Sequence, residues 1–146
     1  MPRFFRRLAE GVFDEADLIL RANELADFVG AASGAYGFDA GKVWAVGFSN
    51  GANIAAGMML LRPEVLRGAA LWRAMVPLVP TKTPDLSGRR VLMTSGSMDG
   101  MVSEAERGRL AGMLRGYGAE VEAVVVPAGH GLVEEDLVVT RRWLGE

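Results

Sequence analysis

The chain contains no cysteine and only one histidine. The first absence removes disulfides, thiolate catalysis and Cys-type zinc sites together, and it fits a reducing compartment. The second leaves His130 as the only imidazole for acid–base work. Net charge is only −2, and no face is obviously basic, which argues against nucleic acid as the main partner. Arg3, Arg6 and Arg7 form a small basic cluster that reads as a solvated face. No apolar run reaches the roughly 18 residues of a membrane span. The opening Met-Pro-Arg-Phe-Phe-Arg-Arg lacks the apolar core of a signal peptide. A cytoplasmic protein with no membrane contact is the expectation. There is no internal repeat and no low-complexity linker.

What is present is ample material for a core. Half of the 146 residues are apolar and 23% are charged, which excludes a disordered chain. One domain over residues 1–146 follows from that length.

Residues 1–13 carry no clear period, although Phe4, Phe5, Leu8, Val12 and Phe13 need packing partners. From Asp14 the pattern turns helical, with Leu18, Ala22, Leu25, Val29 and Ala32 on one face and Gly34 or Gly37 as stops. Asp14, Glu15 and Asp17 suit that helix's positive end. Lys42 to Gly47 reads as a buried strand, and Asn50 to Leu61 as a helix apolar nearly all round, hence buried. Gly68 to Trp72 and Arg90 to Ser95 are further strands, joined by a Pro-containing loop. Ser103-Glu104-Ala105-Glu106 is a capping-box pattern opening a helix that uses Leu110, Met113, Leu114 and Tyr117 and closes at Gly116 and Gly118. Val121 to Val126 is the fourth strand. A last helix runs from about Glu134 to Leu144, with Val133, Leu137, Thr140 and Leu144 on one side. Strands alternating with helices predict an α/β fold with a mostly parallel sheet of about four strands and flanking helices.

The motif that organises the chain is Gly47-Phe48-Ser49-Asn50-Gly51. It is a G-x-S-x-G sequence between a strand and a helix, the setting of a nucleophile elbow. Glycine on both sides of the serine is expected, because a Cβ in so tight a turn would clash. In parallel sheets the loops at the carboxyl ends of strands carry the site. Ser49, Asp99 and His130 each fall just beyond such an end. A serine hydroxyl needs a base, and His130 is the candidate. A carboxylate must then fix the imidazole, and Asp99 is the candidate for that. Asp136, Glu134 and Glu135 lie near His130 in sequence but suit the start of the last helix. The backbone N–H of Asn50 is the expected oxyanion donor, and the side chains of Asn50 and Asn53 are expected to bond locally. A bland reading stands beside each of these: a serine between glycines is often only a turn, and Asp99-Gly100 is also an ordinary turn signal.

With those residues in view, the chain resembles the phospholipase/carboxylesterase family of small α/β-hydrolases. The resemblance runs through Pro2-Arg3-Phe4-Phe5-Arg6-Arg7, Gly47 to Asn53, Arg73-Ala74-Met75-Val76-Pro77, Asp99 and Gly129-His130-Gly131-Leu132. It implies a serine carboxylesterase that hydrolyses carboxylic esters with no metal or organic cofactor. The family's first strands and its His-Gly-x-Gly-type loop, source of a second oxyanion donor, have no match here. The expectation is therefore an N-terminally truncated fold whose strand 42–47 has lost a neighbour and pairs with another chain as a homodimer or higher oligomer. Phe4, Phe5, Met75, Pro77 and Met101 are candidates for the substrate pocket, with core or interface packing as the alternative for each. Short-chain or aromatic esters are expected substrates, because the chain has no spare segment for an extended lid. The rival readings are a non-catalytic or weakly active interaction module, and acyl transfer or peroxide chemistry at the same residues.

Overall fold

The computed structural model describes residues 2–145. Its elements are β1 (Arg7–Ala9), β2 (Val12–Phe13), α1 (Glu15–Tyr36), a 3-10 turn (Ala40–Lys42), β3 (Trp44–Phe48), α2 (Asn50–Leu61), β4 (Gly68–Trp72), β5 (Arg90–Gly96), α3 (Glu104–Gly116), β6 (Glu120–Val126) and α4 (Glu134–Leu144). The order β3-β4-β5-β6 makes a four-stranded sheet in which every pair is parallel. Parallel neighbours need crossovers, and α2, α3 and the long 73–89 loop supply them. The α/β parallel sheet expected from the alternation of patterns is therefore the fold.

The main core lies between the sheet and α1, α2 and α3. Ala69, Leu71, Val91 and Met93 project from one sheet face and meet Ala52, Ala55, Ala56 and Met59 of α2. Every residue of α2 from Ala52 to Leu60 is buried, as its all-round apolar character requires. Each large side chain so buried contributes about 1.5–3 kcal/mol. Among the described residues, the opposite face is covered by α4, through Ala70, Leu92, Val139 and Trp143. Arg90 fastens that corner: its guanidinium lies 4.8 Å over the Trp143 ring and 5.7 Å over Trp44, and it donates to the Trp143 carbonyl at 2.7 Å.

The structure adds detail at the N-terminal region and at three helices. Residues 7–13 form a two-stranded antiparallel hairpin turning at Gly11, too short to show a period. It is tied to α1 by Arg6 N–H donating to Asp17 at 2.7 Å, and Phe5 packs edge-on against Phe13 at 5.2 Å. Helix α1 runs through Gly34 and stops at Gly37, whose φ of 73° is left-handed. The buried side of α4 is Asp136, Val139, Thr140 and Trp143, whereas Leu137 and Leu144 face outward. A hydrophobic period could not find that face, because one of its members is a carboxylate. The capping box at α3 is half made. Ser103 accepts from Glu106 N–H, but the Glu106 carboxylate instead accepts from Val76 N–H at 2.9 Å.

The outer edge of β3 has no partner strand among the described residues. Its side chains Trp44, Val46 and Phe48 are 36%, 53% and 39% exposed. No helix among the described residues is long and apolar enough to cross a membrane.

Candidate active site

The elbow is built by a close contact. A Cβ on Gly47 would stand 2.5 Å from the carbonyl carbon and oxygen of Gly51, so only glycine lets β3 turn back against the start of α2. Gly51 itself is under no such demand. A Cβ there would touch only the Phe4 ring at 3.4 Å, so the expectation of a clash on both sides of the serine holds on one side. Between them Ser49 takes φ 54° and ψ −111°, a conformation that a non-glycine residue adopts only where the surroundings enforce it. Its N–H donates to the Trp72 carbonyl at 2.8 Å, which continues the ladder to β4 and fixes the turn. The side chain is thereby presented at the carboxyl end of the sheet, directly before the first turn of α2.

Two other loops reach the same rim. Beyond β5, Asp99 turns back so that its Oδ1 accepts from the N–H groups of Met101 and Val102 at 2.8 and 3.2 Å. Its Oδ2 lies 2.9 Å from His130 Nδ1, and the carboxylate is almost wholly buried. Beyond β6, the His130 ring places Nε2 2.9 Å from Ser49 Oγ and stays partly open to solvent. The two loops touch through glycine: a Cβ on Gly96 would fall 2.2 Å from the Gly129 carbonyl oxygen. Phe48, one residue before the serine, stacks at a tilt on the imidazole with centroids 5.5 Å apart.

The electrostatics favour an ionised Asp99. Burial alone would push its carboxyl up. The hydrogen bonds from His130 and from the Met101 and Val102 N–H groups outweigh that and hold it below the ordinary value of 3.8. With Asp99 as acceptor, the ring bears its proton on Nδ1 and leaves Nε2 free to accept from the serine hydroxyl. The N–H of Asn50 belongs to the first turn of α2, where backbone donors lack intrahelical partners.

Ser49, His130, Asn53, Met75 and Met101 border a groove of about 370 Å³, together with Pro2, Arg3, Arg7, Gly11, Phe13, Phe48 and Asn50, and the buried Arg73 lies behind its wall. Phe4 lines a shallow hollow beside it, with Phe48 and Gly51. Two of the pocket candidates lie elsewhere. Phe5 is buried against Phe13 and belongs to the core, and Pro77 is buried in the 73–89 loop away from the groove. The asparagine side chains bond locally: Asn50 Oδ1 accepts from Phe4 N–H and Asn53 Oδ1 from Met75 N–H, each at 2.8 Å.

Relatives carry the same architecture. The sequence is 42% identical over 146 residues to MhqD of Bacillus subtilis (strain 168), a protein named as a hydrolase, with all of this chain and 73% of that protein matched. Superposition on the crystal structure of the Bacillus cereus carboxylesterase gives a TM-score of 0.95 at 40% identity, covering 98% of this chain and 68% of that one. The chain belongs to the phospholipase/carboxylesterase family of α/β-hydrolases. A carboxylesterase from Mesorhizobium loti is a third relative, at 32% identity and TM-score 0.92, with 99% of this chain and 69% of that one covered. No family model matches the sequence. As a family member this hydrolase falls in the class of carboxylic ester hydrolases.

Sequence reasoning passed over Arg73 except as part of a motif. Its side chain is wholly buried at the same rim, paired with a wholly buried Asp136 at 2.8 Å. Burial opposes the charge on Asp136, but Arg73, the Val133 N–H and Thr94 outweigh it and hold the carboxyl below 3.8. A buried cation needs a buried anion, and Asp136 was the available signal. Its place in the first turn of α4 concealed it, because an acid is ordinary there.

Proposed function

We propose that this hydrolase is a serine carboxylesterase acting on short-chain or aromatic esters, with Ser49 as nucleophile, His130 as general base and acid, and Asp99 orienting the imidazole. The observation that carries the reading is the unbroken relay of 2.9 Å from Asp99 Oδ2 to His130 Nδ1 and 2.9 Å from His130 Nε2 to Ser49 Oγ. In this scheme His130 Nε2 takes the hydroxyl proton as Ser49 Oγ attacks the ester carbonyl carbon. The resulting oxyanion faces the Asn50 N–H at the positive end of α2. Collapse breaks the bond to the alcohol oxygen, which leaves with the proton from His130. Water then attacks the acyl-enzyme with the same base, and Ser49 is restored as the acid departs.

The substrate preference rests on the groove. Its volume is near the low end for small-molecule sites, about 300–1,000 Å³, and its apolar walls include Phe13, Phe48, Met75 and Met101. Turnover of p-nitrophenyl esters from acetate to dodecanoate tests both parts. An initial burst, a maximum at short acyl chains and loss of activity in Ser49→Ala are expected. Undiminished turnover by Ser49→Ala would overturn the nucleophile, and a maximum at dodecanoate the preference.

A second reading concerns association. The exposed apolar edge of β3 is a template for strand pairing, and on that ground two copies of the chain pair there. Sedimentation velocity at micromolar concentration tests this, and a lone monomer would sink it.

A further inference from the structure

Arg73 is an unusual residue for the end of a parallel strand. It follows β4 directly, takes a left-handed φ of 59°, and is wholly buried. A non-glycine residue in that region is strained and persists only where its surroundings hold it. The conformation sends the side chain beneath the rim toward the loop after β6. There Nε donates to the Gly129 carbonyl at 3.2 Å and one Nη2 hydrogen to the Gly131 carbonyl at 3.0 Å. Those are the carbonyls on either side of His130. The other donors go to Thr94 Oγ1 and to both oxygens of Asp136, at 3.2, 2.8 and 2.8 Å.

An arginine has five N–H donors, and each has its acceptor here. None remains for a substrate oxygen, so Arg73 has no direct part to play in binding an ester or its oxyanion. Its ties instead join three structures that must keep register: the end of β5 through Thr94, the start of α4 through Asp136, and the histidine loop through two carbonyls. Asp136 also accepts from Val133 N–H at 2.9 Å, so the same carboxylate opens α4 and anchors the guanidinium.

We propose that Arg73 is a positioning residue for His130, clamping the carbonyls of Gly129 and Gly131 so that the imidazole stays aligned between Asp99 and Ser49. The inference rests on the assignment of His130 as the base. It is distinct from a plain stability role, because a buried ion pair can be replaced by apolar residues of similar volume with little loss of stability. The double variant Arg73→Met with Asp136→Leu therefore removes the clamp while leaving a packed core.

The chain's single histidine gives a direct readout. In protein labelled with nitrogen-15 histidine, the two ring nitrogens of His130 report the Nδ1–H bond to Asp99 in the resting state. The double variant is expected to keep the wild-type circular dichroism spectrum while those resonances move toward free imidazole. Its kcat for p-nitrophenyl acetate should fall about 10²-fold, the cost typical of an ångström-scale misplacement, with KM changed by less than about threefold. A folded double variant with wild-type ring resonances and wild-type kcat would overturn the proposal. Should that variant not fold, Arg73→Lys serves: it keeps a cation beside Asp136 but has three donors, too few for both carbonyls and the other acceptors. Shifted ring resonances in folded Arg73→Lys support the clamp, and unshifted ones refute it. If His130 is not the base, the ring resonances still move in the variants while kcat stays at the wild-type value, so the two ideas fail separately.

Discussion

Gly47 and Gly51 flank the same serine, yet only Gly47 is held by sterics: its missing Cβ would lie 2.5 Å from backbone atoms of Gly51. Gly47→Ala must therefore push β3 and α2 apart. A stability loss of about 1–3 kcal/mol and a fall of at least tenfold in esterase activity are expected. Gly51→Ala sits inside a helix beside a ring that can yield, so it should be neutral or stabilising by up to about 1 kcal/mol. Chemical denaturation of both variants measures the contrast, and equal losses would contradict the account of the elbow.

Asp99 divides its work between two oxygens, one on the Met101 and Val102 N–H groups and one on His130. Asp99→Asn can keep the turn through its amide oxygen but sets an amide group against Nδ1, which favours the wrong tautomer. The corresponding change in a serine protease triad lowers kcat on the order of 10⁴-fold. A drop of two to four decades in kcat with an unchanged melting temperature is expected. Wild-type kcat in Asp99→Asn would transfer the orienting role to another acid.

Acid should unfold the protein partly through Asp136. Its folded-state carboxyl is held below the ordinary value of 3.8, so the unfolded chain binds a proton first as pH falls. The contribution to stability is thus complete above that value and is lost as pH falls through 3.8 toward the folded-state pKa. Urea unfolding between pH 3 and 7 should show stability falling at the acid end. Asp136→Asn should be less stable near neutrality and less steep in that acid limb. A parallel offset at all pH values would rule the linkage out.

How much of this was legible beforehand follows from which signals are local. Strands β3 to β6 and helix α2 announce themselves through apolar runs bounded by glycine and charge, and each lies within two residues of its expected limits. The rim position of Ser49, Asp99 and His130 follows from strand order alone. The hairpin over residues 7–13 is too short for any period, and the choice between pocket and core for Phe5 stayed open because its partner, Phe13, sits across that hairpin. Pro77 shared a motif with Met75 but turns into the loop's interior. The largest omission, Arg73 with Asp136, joins residues 63 positions apart. Neither residue is apolar, so a reading that seeks hydrophobic faces does not pair them, and Asp136 passes as an ordinary helix-start acid.

If two copies pair at β3 as proposed, charge on its open edge should dissociate them. Val46→Lys puts an ammonium at the most exposed of the three edge positions without touching the groove at Ser49. A shift from dimer to monomer in sedimentation velocity, with kcat/KM within about twofold of wild type, is expected. An unaltered dimer in this variant would move the contact to another surface.

The distances along the chain have a consequence for how the protein acquires activity. Ser49 and His130 are 81 positions apart, Asp99 and His130 are 31 apart, and each contact crosses at least one parallel strand pairing. Non-local pairings of this kind form late, after the entropy of closing long loops has been met. The elbow is built from β3 and the start of α2 alone, whereas His130 reaches Ser49 only once β6 docks. Reactivity toward a fluorophosphonate probe during refolding should thus lag behind the recovery of helical signal, because the proposed base lies beyond β6.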